Sequence, residues 1–374
     1  MAVGEIIAKT ILRKHKRMDS WFVSRYSMNL YRGCVHNCVY CDGRADRYYV
    51  EGEFGCDVAV KANAIEVLVK ELRALKRSIP PKPGYILVGG GVGDGYQPVE
   101  AQYQLTRRIL QVLLELGLPA QVLTKSTMVE RDLDIIKDIH SRSGAIVNFS
   151  FSSMDERISS VFEPGVPAPA KRLKAIETFK NAGIPCGIFL MPVIPFITDT
   201  PDLIEDSVKK AKDAGVDFII FSGMTLKEGK QKDYFMKTLR VRYPELVDRY
   251  GEIYTASQWG EASKDYYDRI NRLFYAVAKK HKMPVRIPLR LFGDKLSEND
   301  LVTVMLEHMD HILKTEGKSS PYGYASYSIS QLKGPLSAVR GELQGLKGVR
   351  PVTADIIKEI LDTGTCSDYE RLMI

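Results

Sequence analysis

Three cysteines lie within eight residues of this chain, at Cys34, Cys38 and Cys41, with the spacing C-x3-C-x2-C. Three thiolates at this spacing can bind three irons of one [4Fe–4S] cluster, which leaves the fourth iron open to a small molecule. An open iron on a reducible cluster indicates a catalytic site rather than a structural one. The spacing therefore predicts a catalytic iron–sulfur centre in this loop.

Two other uses of these cysteines are possible. A structural zinc site takes four N or S ligands, usually from two separate pairs. His36 or Cys56 would supply the fourth ligand, but the chain has no second C-x2-C pair. Six cysteines in 374 residues, three of them in one loop, also make a poor disulfide framework. The cluster is the better interpretation, with zinc as its alternative.

A glycine tract is the second feature with chemical meaning. It comprises Gly89-Gly90-Gly91-Val92-Gly93-Asp94-Gly95 and lies between a predicted strand and a predicted helix. It matches neither G-x-G-x-x-G nor a phosphate-binding G-K-[ST] loop. Glycines leave the backbone bare, so an amino acid moiety can approach closely. A tight structural turn is the alternative interpretation.

The elements that position these loops follow a regular alternation between residues 27 and 222. Short apolar runs predict strands, and apolar residues spaced three and four apart predict helices. Repeated βα units indicate an α/β fold with a parallel sheet, as a full or partial barrel whose active site follows the strands. The apparent first strand lies near Met28–Tyr31. The predicted strands are Tyr85–Val88, Ala120–Leu123, Ala145–Phe151, Cys186–Met191 and Phe218–Phe221, and the helices are Ala64–Arg77, Ala101–Leu116, Leu133–His140, Ala170–Ala182 and Leu203–Ala214.

The rest of the chain is mostly helical in pattern. Residues 223–284 resemble charged helices, Pro284–Phe292 could supply one more strand, and the pattern beyond Gly293 is purely helical. We therefore predict a basic N-terminal arm over residues 1–25, a barrel over 26–292 and a small all-α C-terminal domain over 293–374.

Charge and composition narrow the class of protein. The chain is 45% hydrophobic and carries a net charge of +7. Residues 1–32 contribute +5 and residues 331–351 contribute +3, which suits a polyanionic partner, although an exposed basic arm could simply be solvated. No run approaches the roughly 20 apolar residues of a membrane span. Because free thiols need a reducing compartment, we expect a cytoplasmic protein without membrane association.

Together, these motifs resemble those of a known enzyme superfamily. Gly33 before the first cysteine and Tyr40 before the last complete a pattern similar to that of the radical S-adenosylmethionine (SAM) superfamily. Motifs over residues 26–222 resemble its spore photoproduct lyase-like branch. They are Val122-Leu123-Thr124-Lys125, Asn148-Phe149-Ser150, Phe162-Glu163-Pro164-Gly165, Lys171-Arg172 and Met191-Pro192-Val193-Ile194-Pro195.

The resemblance implies a partial (β/α)6 TIM-like barrel and a specific chemistry. A [4Fe–4S] cluster would bind SAM at its open iron, and an electron donor of flavodoxin or ferredoxin type would supply the electron that yields a 5′-deoxyadenosyl radical. That radical would abstract hydrogen from a substrate. The resemblance assigns SAM contacts to Tyr40, Gly89, Gly90, Gly91, Lys125 and Ser150.

One departure concerns a radical-relay cysteine of spore photoproduct lyase. By our alignment its position is taken by Gly91 here. Cys56 is a weak candidate for a replacement thiol, and a surface position without function is the alternative. We therefore do not expect this chain to split thymine dimers by the same route.

Near residues 336–362 the chain resembles a helix-hairpin-helix, a module that binds the nucleic-acid backbone through a turn at a helix N-terminus. The turn would consist of Lys347, Gly348, Val349 and Arg350, with Arg350 where a second glycine is common. A plain packing hairpin is the alternative.

Nucleic acid is accordingly the expected substrate, in a reaction of the DNA-repair lyase or base-modification type. A radical SAM enzyme for a peptide or metabolite is the first alternative, and a non-catalytic zinc-containing nucleic-acid-binding protein is the second. The sequence leaves open the choice between DNA and RNA and the oligomeric state.

Overall fold

The computed structural model describes residues 2–48, 52–73, 79–89, 92–255 and 257–373, and its strands form two sheets. The larger sheet has seven strands in the order β10-β9-β8-β7-β6-β3-β2, and the smaller has the order β1-β5-β4. The strands are β1 Val3–Ile6, β2 Leu12–Asp19, β3 Ser24–Met28, β4 Tyr31–Arg32, β5 Val58–Lys61, β6 Tyr85–Val88, β7 Ala120–Thr124, β8 Ala145–Phe151, β9 Cys186–Val193 and β10 Phe218–Gly223.

Six strands of the larger sheet, β3 and β6–β10, run parallel in chain order. Helices connect them, as right-handed βα units require. The sheet ends at β10 on one side and at the antiparallel β2 on the other. This arrangement confirms the α/β class and the partial barrel.

The helices lie near their predicted positions in the barrel. The predicted helix Ala101–Leu116 is two helices, because Gln104 adopts a left-handed φ of 51° between them. The bounds are α1 Ala64–Arg73, α2 Glu100–Tyr103, α3 Leu105–Glu115, α4 Leu133–Arg142, α5 Glu156–Phe162, α6 Pro169–Asn181, α7 Pro201–Asp213, α8 Lys230–Arg242, α9 Val247–Ile253, α10 Lys264–Lys280, α11 Leu289–Phe292, α12 Glu298–Thr315, α13 Tyr322–Ser330, α14 Pro351–Thr363 and α15 Ser367–Leu372.

Two predictions about the strands are wrong. The N-terminal segment over residues 1–25 is not a separate arm, because β1 pairs with β5 and β2 pairs with β3. Ile11 and Met18 anchor it, since both side chains are buried. The segment Pro284–Phe292 forms no strand and ends in α11. Pro284 and Pro288 lack the N–H groups that a strand within a sheet would have to donate.

The C-terminal helices close one end of the barrel. Tyr85, Phe189 and Phe218 from the strands share a hydrophobic cluster with Phe292 of α11 and Val304 of α12. Helices α12–α15 also contribute to a cluster of their own. The domain boundary at Gly293 stays a prediction. Because Tyr85 and Phe218 begin their strands, these helices cover the N-terminal end of the barrel, and the carboxyl ends of the strands stay available for a site.

Candidate active site

One cavity at the carboxyl ends of the strands brings the three cysteines together with most of the described candidate SAM contacts. Burial raises the pKa of all three thiols, to about 12 for Cys38, so any metal that binds them must displace protons. The cavity is lined by Cys34, His36, Cys38, Cys41, Gly89, Val92, Gly93, Asp94, Leu123, Thr124, Lys125 and Ser150.

The three thiols have the donor chemistry that an iron–sulfur cluster requires. Among the described residues, no group of three or more His, Cys, Asp or Glu side chains is arranged to hold one metal ion. The sulfurs of a tetrahedral zinc site lie within about 4 Å of one another. In an iron–sulfur cubane each thiolate binds a different iron, so its ligands share a cavity without converging on one point. Cys34, Cys38 and Cys41 line one cavity, as the ligands of such a cluster would.

The cysteine loop is held by side chains from outside it. The buried Gln97 amide accepts from the Val35 N–H at 3.0 Å and donates to the Gly33 carbonyl at 3.2 Å. Arg44 donates to the Cys38 carbonyl and stacks 3.5 Å from the ring centroid of Tyr234. These contacts fix where the thiols lie before any metal binds.

Asp94 joins the glycine tract to the end of β7. Its carboxylate accepts from the Thr124 hydroxyl at 2.7 Å and from the Lys125 N–H at 2.6 Å, and it faces the His36 ring at 3.3 Å. Burial alone would raise the pKa of Asp94, but these partners lower it. Asp94 therefore stays ionised and positions Lys125 relative to the cysteine loop.

Lys125 is part of a buried charge network. Its Nζ donates to Ser150 Oγ and to Glu163 Oε1, each at 2.9 Å. Arg172, fully buried, donates to the other Glu163 oxygen at 2.6 Å, and the Tyr40 hydroxyl also donates to Glu163. Burial alone would raise the pKa of Glu163, but Arg172 and then Lys125 hold it well below its usual range. Two cations therefore surround this carboxylate, and one of them, Lys125, also lines the cavity of the cysteines.

Three of the four predicted SAM contacts that the structure describes lie at this cavity. Lys125, Ser150 and Gly89 line it. Gly89 has a φ of 85°, and a Cβ there would lie 2.9 Å from the Leu123 carbonyl oxygen, so glycine is required. Gly90 and Gly91 lie outside the described residues. Tyr40 does not line the cavity, because its hydroxyl points to Glu163 beneath Lys125.

Cys56, the weak candidate for a relay thiol, lies elsewhere. It is partly exposed in the loop before β5, and it is absent from the lining of the cysteine cavity. Sequence reasoning assigned no role to Asp94, Glu163 and Arg172. Their only signal was membership in a quoted motif, which is the glycine tract for Asp94 and the motifs of the resemblance for Glu163 and Arg172, because their partners are distant in the chain.

The predicted C-terminal hairpin has an irregular first half. Residues Leu336–Gly345 form 3-10 turns interrupted at Val339 and Glu342, and α14 follows the turn as predicted, with Pro351 in its first turn. The helix-hairpin-helix therefore stays a prediction.

The turn of this hairpin, residues 347–350, packs against α13. A Cβ at Gly348 would lie 2.6 Å from Tyr324 Cβ, and Val349 is buried. Tyr324 and Tyr327, one helical turn apart on α13, are 71% and 54% exposed. Lys347 Nζ lies 5.9 Å from the Tyr324 ring centroid. Exposed aromatic rings and cations thus share one surface.

Comparison with known proteins places this site in a family. A model of the radical SAM superfamily matches residues 28–201. An uncharacterized protein of Mycobacterium tuberculosis is 32% identical over 254 residues, 67% of this chain and 73% of the relative. An uncharacterized protein of Methanocaldococcus jannaschii is 30% identical over 226 residues, 60% of this chain and 79% of the relative. Spore photoproduct lyase complexed with dinucleoside spore photoproduct superposes with a TM-score of 0.54 at 15% identity, covering 74% of this chain and 79% of that chain.

The chain belongs to the radical SAM superfamily, whose members use a [4Fe–4S] cluster and SAM. At 15% identity, the likeness to spore photoproduct lyase shows a shared fold alone. Within the part of the chain that the structure describes, no helix has the length and apolar character needed to cross a membrane.

Proposed function

We propose that the protein is a radical SAM enzyme that abstracts hydrogen from a nucleic-acid substrate, with the cluster bound by Cys34, Cys38 and Cys41. The observation that carries the proposal is a single cavity lined by all three thiols together with Lys125 and Ser150. When bound, the cluster and SAM supply a 5′-deoxyadenosyl radical. The chain's own residues place the substrate, hold SAM and keep water away.

Lys125 and Ser150 would hold the polar groups of SAM. Lys125 lines the cavity and its side chain is 15% exposed, so its ammonium group can meet the carboxylate of an incoming ligand. The Ser150 hydroxyl, which donates to the Met191 carbonyl, keeps an acceptor position open for a ligand donor. Gly89 allows the methionyl end to approach the backbone. The apolar side chains of Val92 and Leu123 limit the water at this wall.

The surface around the C-terminal turn supports nucleic acid as the substrate class. Lys347 and Arg350 are exposed, and within the described residues neither pairs with a carboxylate. Cations bind phosphates, and exposed tyrosines stack on bases. Spore photoproduct lyase, which shares the fold, is named as complexed with a dinucleoside.

Anaerobic reconstitution with iron and sulfide tests the proposal. After reduction and addition of SAM, the wild-type protein should form 5′-deoxyadenosine, measured by chromatography, and DNA or RNA should increase its rate. Cys38→Ala should abolish the product, because a cluster needs all three ligands. Cys56→Ala removes a thiol outside the cavity and should retain SAM cleavage.

Two results would contradict the proposal in different ways. Zinc uptake without iron, and no 5′-deoxyadenosine, would leave the non-catalytic binding protein as the better account. Product formation that responds to peptides or metabolites and not to DNA or RNA would keep the radical chemistry and reject the substrate class.

A further inference from the structure

A second cavity, of about 450 Å³, lies beside the cysteine cavity. Val92 lines both cavities, and Gly33, which lines the second, directly precedes Cys34. A Cβ at Gly93 would lie 3.5 Å from the Gly33 carbonyl oxygen and 3.6 Å from Asn29 Oδ1. The described part of the glycine tract therefore forms a shared wall, and a ligand in the second cavity would lie next to the radical site.

Cations from three strands line this second cavity. Arg13 comes from β2, Arg32 from β4 and Lys61 from β5, and no described Asp or Glu lines it. Within the described residues, none of the three cations forms an ion pair with a carboxylate. Arg13 and Arg32 are exposed, so a ligand in the cavity can reach both guanidinium groups.

Lys61 shows the effect of this excess charge most directly. Its Nζ donates to the Asn29 carbonyl at 2.5 Å, and its side chain is only partly exposed. Burial and then the positive charge of Arg32 lower the pKa of Lys61. An anion in the cavity would relieve both costs, because it would replace lost hydration and offset the repulsion between the two cations. Thr10 and Ser27 add hydroxyl groups to the same lining.

We propose that this cavity binds phosphate groups of the nucleic-acid substrate next to the nucleotide that reacts. The inference rests on the proposed function and adds the path of the substrate backbone. Two guanidinium groups suit phosphate oxygens, which they can bind in pairs. Three cations carried by three different strands suit a ligand with repeated charges better than a single carboxylate.

Binding of a short fluorescently labelled DNA oligonucleotide by the reconstituted protein, measured over a series of salt concentrations, tests the proposal. Arg13→Gln/Arg32→Gln should weaken binding at least about tenfold and reduce the slope of log K against log [salt] by about 2. Lys14→Gln/Lys70→Gln removes the same charge outside the cavity and should change neither by more than about twofold. Lys14 is a close control, because it follows Arg13 on β2 and alternates to the other face.

Each outcome has a defined meaning. Equal losses of affinity in the two double variants, or no loss of affinity in Arg13→Gln/Arg32→Gln, would overturn the cavity proposal. In that case, SAM cleavage by the wild type would still support the proposed function. Absence of 5′-deoxyadenosine in the wild type would instead overturn the proposed function. Inorganic pyrophosphate should compete only weakly. If it displaces the oligonucleotide completely at stoichiometric concentration, the cavity is a site for a free anion.

Discussion

Around Glu163 the charged groups are buried and partnered, whereas at the C-terminal turn, residues 347–350, they are exposed and, within the described residues, have no carboxylate partner. Glu163 receives bonds from both Lys125 and Arg172. Lys347 and Arg350 face solvent beside two exposed tyrosines. Both regions contain cations, but only in the first are the cations held in place by buried carboxylate partners.

This difference follows the needs of two kinds of ligand. A small cofactor must be held at one position relative to the cluster, so its contacts are supported by buried partners whose desolvation makes them costly to move. A long flexible polyanion gains affinity from many weak exposed contacts, which adapt to its shape. The buried network should therefore govern stability, and the exposed turn should govern affinity for nucleic acid.

Arg172→Met disrupts the buried charge network around Glu163 most directly. We expect it to have the largest effect on the free energy of unfolding. The substitution removes the guanidinium that bonds Glu163 at 2.6 Å and the Ser150 carbonyl at 2.6 Å. Loss of one partner of a buried pair should lower the free energy of unfolding by about 3–5 kcal/mol, as measured by urea denaturation. Arg157→Met, whose side chain is 93% exposed beside Asp155, is the control and should leave the free energy of unfolding close to that of the wild type.

A double variant sharpens this result. Glu163→Gln/Arg172→Met removes both charges and should recover part of the lost stability, since no unpaired carboxylate is left in the interior. If the single variant Arg172→Met is as stable as Arg157→Met, the buried charges do not control the stability of the barrel.

The cysteine cavity could be predicted from sequence because its signals are local. The spacing of Cys34, Cys38 and Cys41 lies within one loop, and the strand Ala145–Phe151 has the predicted bounds because five of its seven residues are apolar. The family resemblance, and not the alternation of strands and helices, then assigned Lys125 and Ser150 to the same site.

The partners of these residues could not be derived in the same way. Glu163 meets Lys125 only because the segment after α5 folds back over the cysteine loop, where the Val39 N–H bonds the Phe162 carbonyl at 2.8 Å. The place of the basic N-terminal segment in the fold could not be predicted either. Its charges suited a polyanionic partner, with a solvated arm as the alternative, but strand pairing and the buried side chains of Ile11 and Met18 keep it in the fold.

Lowering the pH should reduce the stability contributed by the C-terminal helices before it affects the buried network around Glu163. We expect the size of this effect on stability to be intermediate among the predictions. His308 of α12 is fully buried, faces the Ser20 carbonyl at 2.9 Å and the Tyr369 hydroxyl at 3.0 Å, and burial lowers its pKa to about 3. Below about pH 6.5 the unfolded chain binds a proton that the folded chain does not, so stability falls. The low pKa of Glu163 delays any comparable loss from the network until below about pH 4.5.

The expected loss between pH 7.5 and pH 5 is about 2 kcal/mol for His308, as measured by urea denaturation at both pH values. His311, whose pKa burial lowers to about 2, should contribute a similar amount. His308→Gln should therefore remove about half of the pH dependence. A slope unchanged by this substitution would mean that His308 does not link α12 to the segment around Ser20.

Tyr324→Ala and Tyr327→Ala test the exposed surface at the C-terminal turn. We expect these two substitutions to have the smallest effect of those predicted. Each removes a ring that is more than half exposed on α13 beside Lys347, so stability should change by less than about 0.5 kcal/mol. If the rings stack on bases, affinity for single-stranded DNA should fall about fivefold for each, close to 1 kcal/mol. Tyr327→Phe retains the ring and should retain the affinity. Equal losses in Tyr327→Phe and Tyr327→Ala would exclude stacking, and unchanged affinity in both alanine variants would remove the turn from the nucleic-acid surface.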